Sequence, residues 1–189
     1  PVGPPPDHGG GRIERIDLAS GRVERLYEQA DGHALRAPND LVFDGTGGFY
    51  FTDLGQTRPR EMDRGGIFYA QADGSHIHTV ARHALTANGT ALSPDGATLY
   101  YAETAGARLW AFELEAPGRT RRGSWPETSQ GARCLIASPG GHYQHFDSMA
   151  VDALGNLYVA TLMHGGITIV SPQGTLLQHV PLPDLYVTN

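Results

Sequence analysis

One pattern in the chain reads Asn88-Gly89-Thr90-Ala91-Leu92-Ser93-Pro94-Asp95-Gly96-Ala97-Thr98-Leu99-Tyr100-Tyr101-Ala102-Glu103. It begins with a polar residue, continues through an alternating run, turns at Pro-Asp-Gly and returns through a second strand-like run. Alternation with a period of two is typical of a β-strand, and a Pro-Asp-Gly turn between two such runs predicts a hairpin. The pattern therefore predicts a β-hairpin with a polar residue at its head.

The same pattern occurs twice more, at residues 39–53 and 147–161. Asn39, Asn88 and Asp147 hold the same place in three successive units. An architecture that stacks such units around an axis brings equivalent positions together. We therefore expect these three oxygen-bearing side chains to converge, and we take the point of convergence as the candidate functional site.

The first and third units continue with two further strand-like runs, whereas in the second unit the long polar segment 117–133 obscures the fourth strand. We predict four-stranded blades at about 39–82, 88–137 and 147–182. An outer half-blade is predicted at 12–27, after a disordered Pro/Gly arm at 1–11. The fold class is therefore all-β, a partial propeller with about three and a half blades. Natural propellers use about 4–8 blades. We expect the chain to be incomplete and its unpaired blade edges to favour self-association.

Composition restricts the classes of partner. The formal net charge is -6 and the isoelectric point is about 5.8, which argues against nucleic acid and anionic membranes, because phosphate binding needs clustered basic side chains. No run approaches the ~20 apolar residues of a membrane span. Lysine is absent, so Schiff-base chemistry is excluded. Cys134 is the single cysteine, which favours a cytoplasmic location and leaves secretion open as the alternative.

Three short motifs in a fixed order carry a family resemblance. They are Pro38-Asn39-Asp40 with Phe51-Thr52-Asp53, then Ala87-Asn88-Gly89 with Leu92-Ser93-Pro94-Asp95-Gly96, then Phe146-Asp147-Ser148 with Gly155-Asn156-Leu157-Tyr158-Val159-Ala160. Together they resemble the senescence-marker (SMP-30)/gluconolactonase/luciferin-regenerating-enzyme family of calcium-dependent six-bladed β-propellers, which includes regucalcin and the bacterial drug-responsive lactonases. The likeness extends over about residues 11–189. It implies a six-bladed propeller fold with a divalent metal on the axis.

The resemblance also implies a ligand set. Asn39, Asn88 and Asp147 match the metal-binding positions, Asp40 is the alternative to Asn39, and Ser148 is an added ligand because Asp-Ser replaces the commoner Asp-Gly. The family's glutamate ligand from its first blade has no counterpart in this chain. Calcium takes about six to eight oxygen ligands, which suits these side chains, and other divalent cations are compatible with the same set.

The activity that the resemblance implies is hydrolysis of a small-molecule lactone, a carboxylic ester. Asp147 is then the general base that takes a proton from the attacking water, with direct attack by Asp147 as the alternative. Arg36, just upstream of Asn39, is a candidate for substrate contact, with a solvated loop arginine as the alternative. Tyr143, His145 and Phe146 are candidates for lining the pocket mouth, with packing over the blade rim as the alternative.

Other functions stay open at this point. A propeller can be a non-catalytic binding platform, and an incomplete chain can be inactive. Relatives of the diisopropyl-fluorophosphatase type imply phosphotriester hydrolysis instead of carbon-ester hydrolysis. His142 and His145 have a spacing that zinc sites also use, but no third ligand with suitable spacing follows them.

Overall fold

The computed structural model describes residues 9–121, 128–129 and 131–188. These residues form β-strands and turns, which confirms the predicted all-β class. In this part of the chain, the 3-10 turn Pro139–Gly141 is the only helical segment, and no helix is long and apolar enough to cross a membrane. The first eight residues of the predicted arm lie outside the described residues. At its end, Gly11 is buried and donates its N–H to Leu35 O at 3.1 Å.

Two small hairpins precede the larger sheets. Their strands are β1 (Ile13–Ile16), β2 (Val23–Tyr27), β3 (Gln29–Ala30) and β4 (His33–Ala34), paired β1 with β2 and β3 with β4. The Tyr27 hydroxyl lies 2.7 Å and 2.8 Å from the carbonyl oxygens of Gln71 and His76. This contact attaches the first hairpin to the turn between the third and fourth strands of the next sheet.

Three larger antiparallel sheets follow in chain order. The first contains β5 (Pro38–Phe43), β6 (Gly48–Asp53), β7 (Gly65–Gln71) and β8 (Ile77–Ala84). The middle sheet contains β9 (Ala87–Leu92), β10 (Thr98–Glu103), β11 (Arg108–Ala116), β12 (Arg119–Thr120), β13 (Thr128–Ser129) and β14 (Ala132–Ala137). The last contains β15 (His145–Val151), β16 (Leu157–Leu162), β17 (Gly166–Val170) and β18 (Leu176–Pro181).

Within the first and last sheets, strands that are consecutive in sequence are neighbours in space. This up-and-down order is that of a propeller blade, and the chain has the predicted β-propeller class. The middle sheet differs at its outer edge, where β14 pairs with β11 and the small strands β12 and β13 pair with β11 and β14. The long polar segment before β14 hid this outer strand in the sequence.

Local turn chemistry produces the hairpin of the middle sheet. The Asp95 carboxylate accepts the Ser93 hydroxyl at 2.6 Å and the Ala97 N–H at 3.0 Å. Gly96 follows with φ of 69°, in the left-handed region that side chains disfavour. Asp fixes the turn and Gly supplies the unusual backbone angle, so β9 and β10 are returned antiparallel to each other.

The hydrophobic core lies between neighbouring sheets. Successive residues of β10 alternate between the two core layers, because side chains of a strand point to opposite faces. Leu99 and Tyr101 pack toward the first sheet, against Tyr50 and Ile67. Tyr100 packs toward the last sheet, against Phe146. The middle sheet is therefore covered on both faces.

The first strand of each large sheet is its inner strand. β9 contacts β5 on one side and β15 on the other, so the three inner strands lie side by side. The polar heads predicted from the sequence belong to these three strands. Their neighbourhood is therefore the place where the predicted site can form.

Candidate functional site

Each inner strand carries a β-bulge at its polar head. In the first sheet, Asn39 and Asp40 together oppose the single residue Thr52, between the pairs Pro38 with Asp53 and Leu41 with Phe51. The same arrangement of two residues against one places Asn88 and Gly89 opposite Ala102, and Asp147 and Ser148 opposite Ala160. A bulge turns a side chain away from the regular alternation, and bulges are frequent beside active sites. The three polar heads are thus equivalent in structure as well as in sequence.

The second bulge holds the most enclosed of these side chains. Asn88 is only 5% exposed, and its Nδ2 donates to Thr104 Oγ1 at 3.0 Å. Its amide oxygen, Oδ1, is buried and has no hydrogen-bond partner within the described ranges. A buried amide oxygen without a partner is costly, by about 1–3 kcal/mol. Such an oxygen is chemically suited to a cation.

The first bulge presents one exposed and one partly buried side chain. Asn39 is exposed, whereas Asp40 accepts the N–H of Leu41 at 2.8 Å and the N–H of Thr90 at 3.1 Å. Burial, and to a lesser degree the negative charge of Asp147, raise the pKa of the Asp40 carboxyl, although these two N–H groups act in the opposite direction. The charge of Asp147 therefore reaches the first bulge.

The third bulge carries the second carboxylate. Asp147 is partly buried and accepts the N–H of Ser148 at 2.9 Å, while Ser148 itself is buried. The backbone of this bulge lies directly against Gly89. A Cβ added to Gly89 would lie 2.5 Å from Asp147 O and 2.7 Å from Ser148 Cα. Only a glycine permits this close approach of the second and third bulges.

The second bulge therefore contacts both of the other bulges. The first and second are joined by the Asp40 to Thr90 hydrogen bond and by the Thr52 hydroxyl, which donates to Asn88 O. The second and third touch at Gly89, and the first and third interact through the charges of Asp40 and Asp147. Every donor atom that the three heads offer to a cation is an oxygen, as hard cations such as calcium prefer. The residues present thus fit a divalent metal ion.

Arg36 has a different environment from these heads. Its side chain is exposed, and its Nε lies 3.8 Å from Asp63 Oδ2. Its backbone N–H donates to the Asp53 carboxylate at 2.7 Å. Together with Asp53 and Asp63 it lines a separate cavity of about 340 Å³. These two contacts with aspartates favour a structural role for Arg36 in the loop, and its substrate role stays a prediction.

The two histidines considered for zinc have separate environments. The ring of His142 stacks on His164 with ring centroids 4.1 Å apart, and His145 makes hydrogen bonds to Thr104 O at 2.8 Å and to the Tyr143 hydroxyl at 3.0 Å. Among residues 9–121 and 131–188, no group of three or more His, Cys, Asp or Glu side chains is placed to hold a metal. The histidine zinc site therefore has no structural support.

Two threonines to which the sequence analysis assigned no role contact the site. Thr52 is fully buried between the first and second bulges, and Thr104 follows the second strand of the middle sheet. The available signal was positional: Thr52 stands opposite a polar head, and Thr104 lies one residue beyond the acid that ends the equivalent strand. Threonine is common in strands, so this signal is visible only once the register is known.

Comparison with known proteins bears on the family and the fold of the chain. The family described as SMP-30/Gluconolactonase/LRE-like region matches residues 8–189. The chain belongs to this family. Among curated members, lactonase drp35 of Staphylococcus haemolyticus is 33% identical over 147 residues, which cover 77% of this chain and 42% of the relative. Lactonase drp35 of Staphylococcus aureus is 31% identical over 145 residues, with the same coverage. The chain thus spans less than half the length of these SMP-30/gluconolactonase relatives.

Solved structures of related proteins and of proteins with the same fold superpose on this chain. A gluconolactonase from Xanthomonas campestris gives a TM-score of 0.73 at 26% identity, covering 92% of this chain and 56% of that one. A structure described as the calcium-binding protein regucalcin, from Agrobacterium tumefaciens, gives a TM-score of 0.62 at 21% identity and covers 94% of this chain and 69% of that one. The second likeness bears on the fold alone, which is that of the SMP-30/gluconolactonase propellers.

Proposed function

We propose that the chain supplies most of a calcium-dependent site that hydrolyses a small-molecule lactone. The observation that carries the proposal is the buried, unpartnered Oδ1 of Asn88, in a bulge that contacts the equivalent bulges of β5 and β15. Membership in the family and the likeness to proteins named lactonase and gluconolactonase support the reaction type. The reaction is the opening of a cyclic carboxylic ester by water.

Four side chains would hold the metal. Asn88 offers Oδ1, Asp147 its carboxylate, Ser148 its hydroxyl and Asn39 its amide oxygen. Asp40 is the weaker alternative to Asn39, because each Asp40 oxygen already accepts one backbone N–H. When bound, calcium supplies Lewis acidity toward the ester carbonyl.

Asp147 is the residue we assign as general base. One of its oxygens accepts the Ser148 N–H at 2.9 Å, which fixes the carboxylate, and Oδ2 has no hydrogen-bond partner in the described part of the chain. Oδ2 can therefore accept the proton of an attacking water. Positioned proton transfer of this kind typically contributes about 10²–10⁴-fold to a rate.

The first test is calcium binding. A ligand that binds the folded state alone stabilises it by mass action, by about 2.7 kcal/mol at one hundred times its dissociation constant. We expect the melting temperature of the parent chain to rise with calcium. A non-catalytic binding platform needs no metal, so a melting temperature that does not change on addition of calcium would favour that alternative.

The second test is the hydrolysis of a lactone panel, with a phosphotriester included to separate the two ester classes. At saturating calcium, Asp147→Asn keeps an oxygen ligand but removes the proton acceptor, and we expect the rate to fall by about 10²–10⁴-fold. Asn88→Ala acts through metal binding, so excess calcium should partly restore its rate. An Asp147→Asn variant as fast as the parent would exclude Asp147 as the base.

We also propose that the isolated chain of 189 residues self-associates. Its inner strand β5 leaves Phe43 61% exposed, and the segment from β18 onward exposes Leu177 and Tyr186 by 51% and 65%. Exposed large apolar side chains favour association between copies. Light scattering measures the state directly, and a stable compact monomer would contradict the proposal.

A further inference from the structure

The orientation of the Asn88 amide is the feature from which this inference starts, and the inference rests on the proposed calcium site. A side-chain amide has one end that accepts and one end that donates two N–H groups. A cation attracts the oxygen and repels the N–H groups. An asparagine is therefore a metal ligand in only one of the two orientations of its amide.

Thr104 contacts the donating end of this amide. Nδ2 of Asn88 donates to Thr104 Oγ1 at 3.0 Å, and this contact leaves Oδ1 as the end without a partner in the described chain. Asn88 is only 5% exposed, so water does not easily replace the hydrogen bond to Thr104 if it is lost. The Asn88 backbone is fixed separately, because its carbonyl accepts the Thr52 hydroxyl.

Thr104 also contacts the strand that carries Asp147. Its carbonyl oxygen lies 2.8 Å from Nδ1 of His145, the first residue of β15. A carbonyl only accepts, so Nδ1 carries the proton of this hydrogen bond. The Thr104 N–H in turn donates to Thr86 O at 3.1 Å, which fixes the residue to the segment before β9. One residue is thus bonded to both strands that supply the buried ligands.

We infer that Thr104 is a positioning residue that holds the Asn88 amide with Oδ1 turned toward the metal. Groups that orient a ligand from behind commonly change metal affinity by about 10–100-fold when they are removed. Thr104→Val preserves shape and removes the hydroxyl. We expect it to weaken calcium binding by roughly 10-fold or more.

The experiment measures calcium affinity by titration calorimetry in the parent and in three variants. Thr104→Ser keeps the hydroxyl and should restore the parent affinity, whereas Thr104→Val should not. Thr161→Val is the matched control. Thr161 is fully buried and its hydroxyl bonds Val159 O at 3.0 Å and Thr168 Oγ1 at 2.7 Å, so it loses comparable hydrogen bonds away from Asn88. It should leave calcium affinity unchanged.

A double-mutant cycle tests the orientation itself. Asn88→Asp presents an oxygen at both ends of the side chain, so orientation no longer decides whether an oxygen faces the metal. In the Asn88→Asp background, Thr104→Val should change calcium affinity little or not at all. The difference between its effects in the two backgrounds measures the coupling between the two positions. A Thr104→Val effect of equal size in both backgrounds would overturn the orienting role, even if the single variant were partly unfolded.

The outcomes separate the inference from the proposed function. If the parent does not bind calcium, the proposed site is wrong and the inference fails with it. If the parent binds calcium and Thr104→Val binds it equally well, the site stands and the positioning role of Thr104 is wrong.

Discussion

The inner strands β9 and β5 share one sequence pattern and one kind of bulge, but they differ in burial. The first five residues of β9 are buried, whereas β5 alternates between partly buried and exposed residues. The polar head Asn88 is 5% exposed, and its equivalent Asn39 is exposed. β9 lies between β5 and β15, whereas the main inner-strand neighbour of β5 in the described chain is β9.

The difference separates what a strand encodes from what its neighbours provide. The repeated head and the turn residues act locally, so they produce the same bulged hairpin in each sheet. Burial of an inner strand requires a second sheet on its other side. The environment of a ligand residue is therefore a property of three strands together.

The largest expected effect comes from filling the space between β9 and β15. Gly89→Ala places a Cβ 2.5 Å from Asp147 O, so backbone must move. We expect the free energy of unfolding to fall by about 3 kcal/mol, at the upper end for overpacking. Asp40, the equivalent residue of β5, already carries a side chain without such a contact. Chemical denaturation measures the change.

Gly106→Ala is the matched control in the same sheet. Its added Cβ meets only side-chain ends, at 3.3 Å from Glu103 Oε2 and 3.5 Å from Arg108 Nη1. We expect Gly106→Ala to lower the free energy of unfolding by less than about 1 kcal/mol. If both variants lose equal stability, the close approach at Gly89 does not restrict the second and third bulges.

The next effect compares the two polar heads. Without calcium, we expect Asn88→Ala to change the free energy of unfolding by less than about 1 kcal/mol, because removing a buried, unpaired oxygen offsets the lost hydrogen bond. With calcium at one hundred times the parent dissociation constant, it should lose most of the ~2.7 kcal/mol that binding supplies. Asn39→Ala should lose less, since Asn39 is exposed and Asp40 is adjacent.

Melting curves with and without calcium give this comparison directly. Equal losses of calcium stabilisation in both variants would mean that burial of the Asn88 oxygen does not strengthen binding. If Asn88→Ala lowered the free energy of unfolding without calcium but kept the full calcium stabilisation, Asn88 would have a structural role only.

The sequence predicts the local part of this site and misses the non-local part. The heads Asn39, Asn88 and Asp147 were found because the pattern repeats, and the structure places them in equivalent bulges. The exposure of Asn39 was not predictable, because it depends on the absence of a neighbouring sheet in the described chain. The same limit applies to Leu41 and Phe43 of β5. The alternating pattern predicts that both face a neighbouring blade, but they are 45% and 61% exposed.

Contacts across sheets were also outside the reach of the pattern. Thr104 is bonded to Asn88 and to the first residue of β15, 41 positions further along the chain. No repeat or spacing predicts that pairing. The register of β9 against β10 and the position of β15 have to be known before Thr104 can be assigned a role.

A smaller effect on stability is expected from changing the apolar residue at the end of β5. Phe43 and Leu92 end equivalent inner strands, but Phe43 is exposed, while Leu92 packs against the core between the first and middle sheets. We expect Leu92→Ser to lower the free energy of unfolding by about 1–2 kcal/mol, because a partly buried side chain is lost. Phe43→Ser should cost less stability and should reduce self-association. Light scattering and denaturation, run in parallel on both variants, distinguish these outcomes.

If Phe43→Ser associated as strongly as the parent, the exposed face of β5 would not be the surface through which copies meet. The exposed residues of β18 and the segment after it would then be the next surface to change.

The third inner strand differs from the other two at its entry, where three histidines stack. His164 lies between His142, which precedes β15, and His179 of β18, with ring centroids 4.1 Å and 4.0 Å away. His179 also lies 3.1 Å from Thr168 Oγ1 and 3.2 Å from Gly165 O. Burial, followed by the charges of His179 and His142, lowers the pKa of His164.

The smallest expected effect is the pH dependence of this stack. A histidine whose pKa is lowered by folding binds fewer protons in the folded than in the unfolded state. Stability therefore decreases as the pH is lowered below the ordinary pKa of 6.5. The loss ends once the pH passes below the lowered folded value. We expect the melting temperature of the parent to decrease slightly from pH 7 toward pH 5. His164→Phe keeps a flat ring between the neighbours but takes up no proton, so its decrease should be shallower when each curve is referenced to pH 8. If the melting temperatures of parent and variant changed equally with pH, the histidine stack would contribute nothing to acid sensitivity. The segment before β15 would then not differ from those before β5 and β9 in its effect on pH dependence.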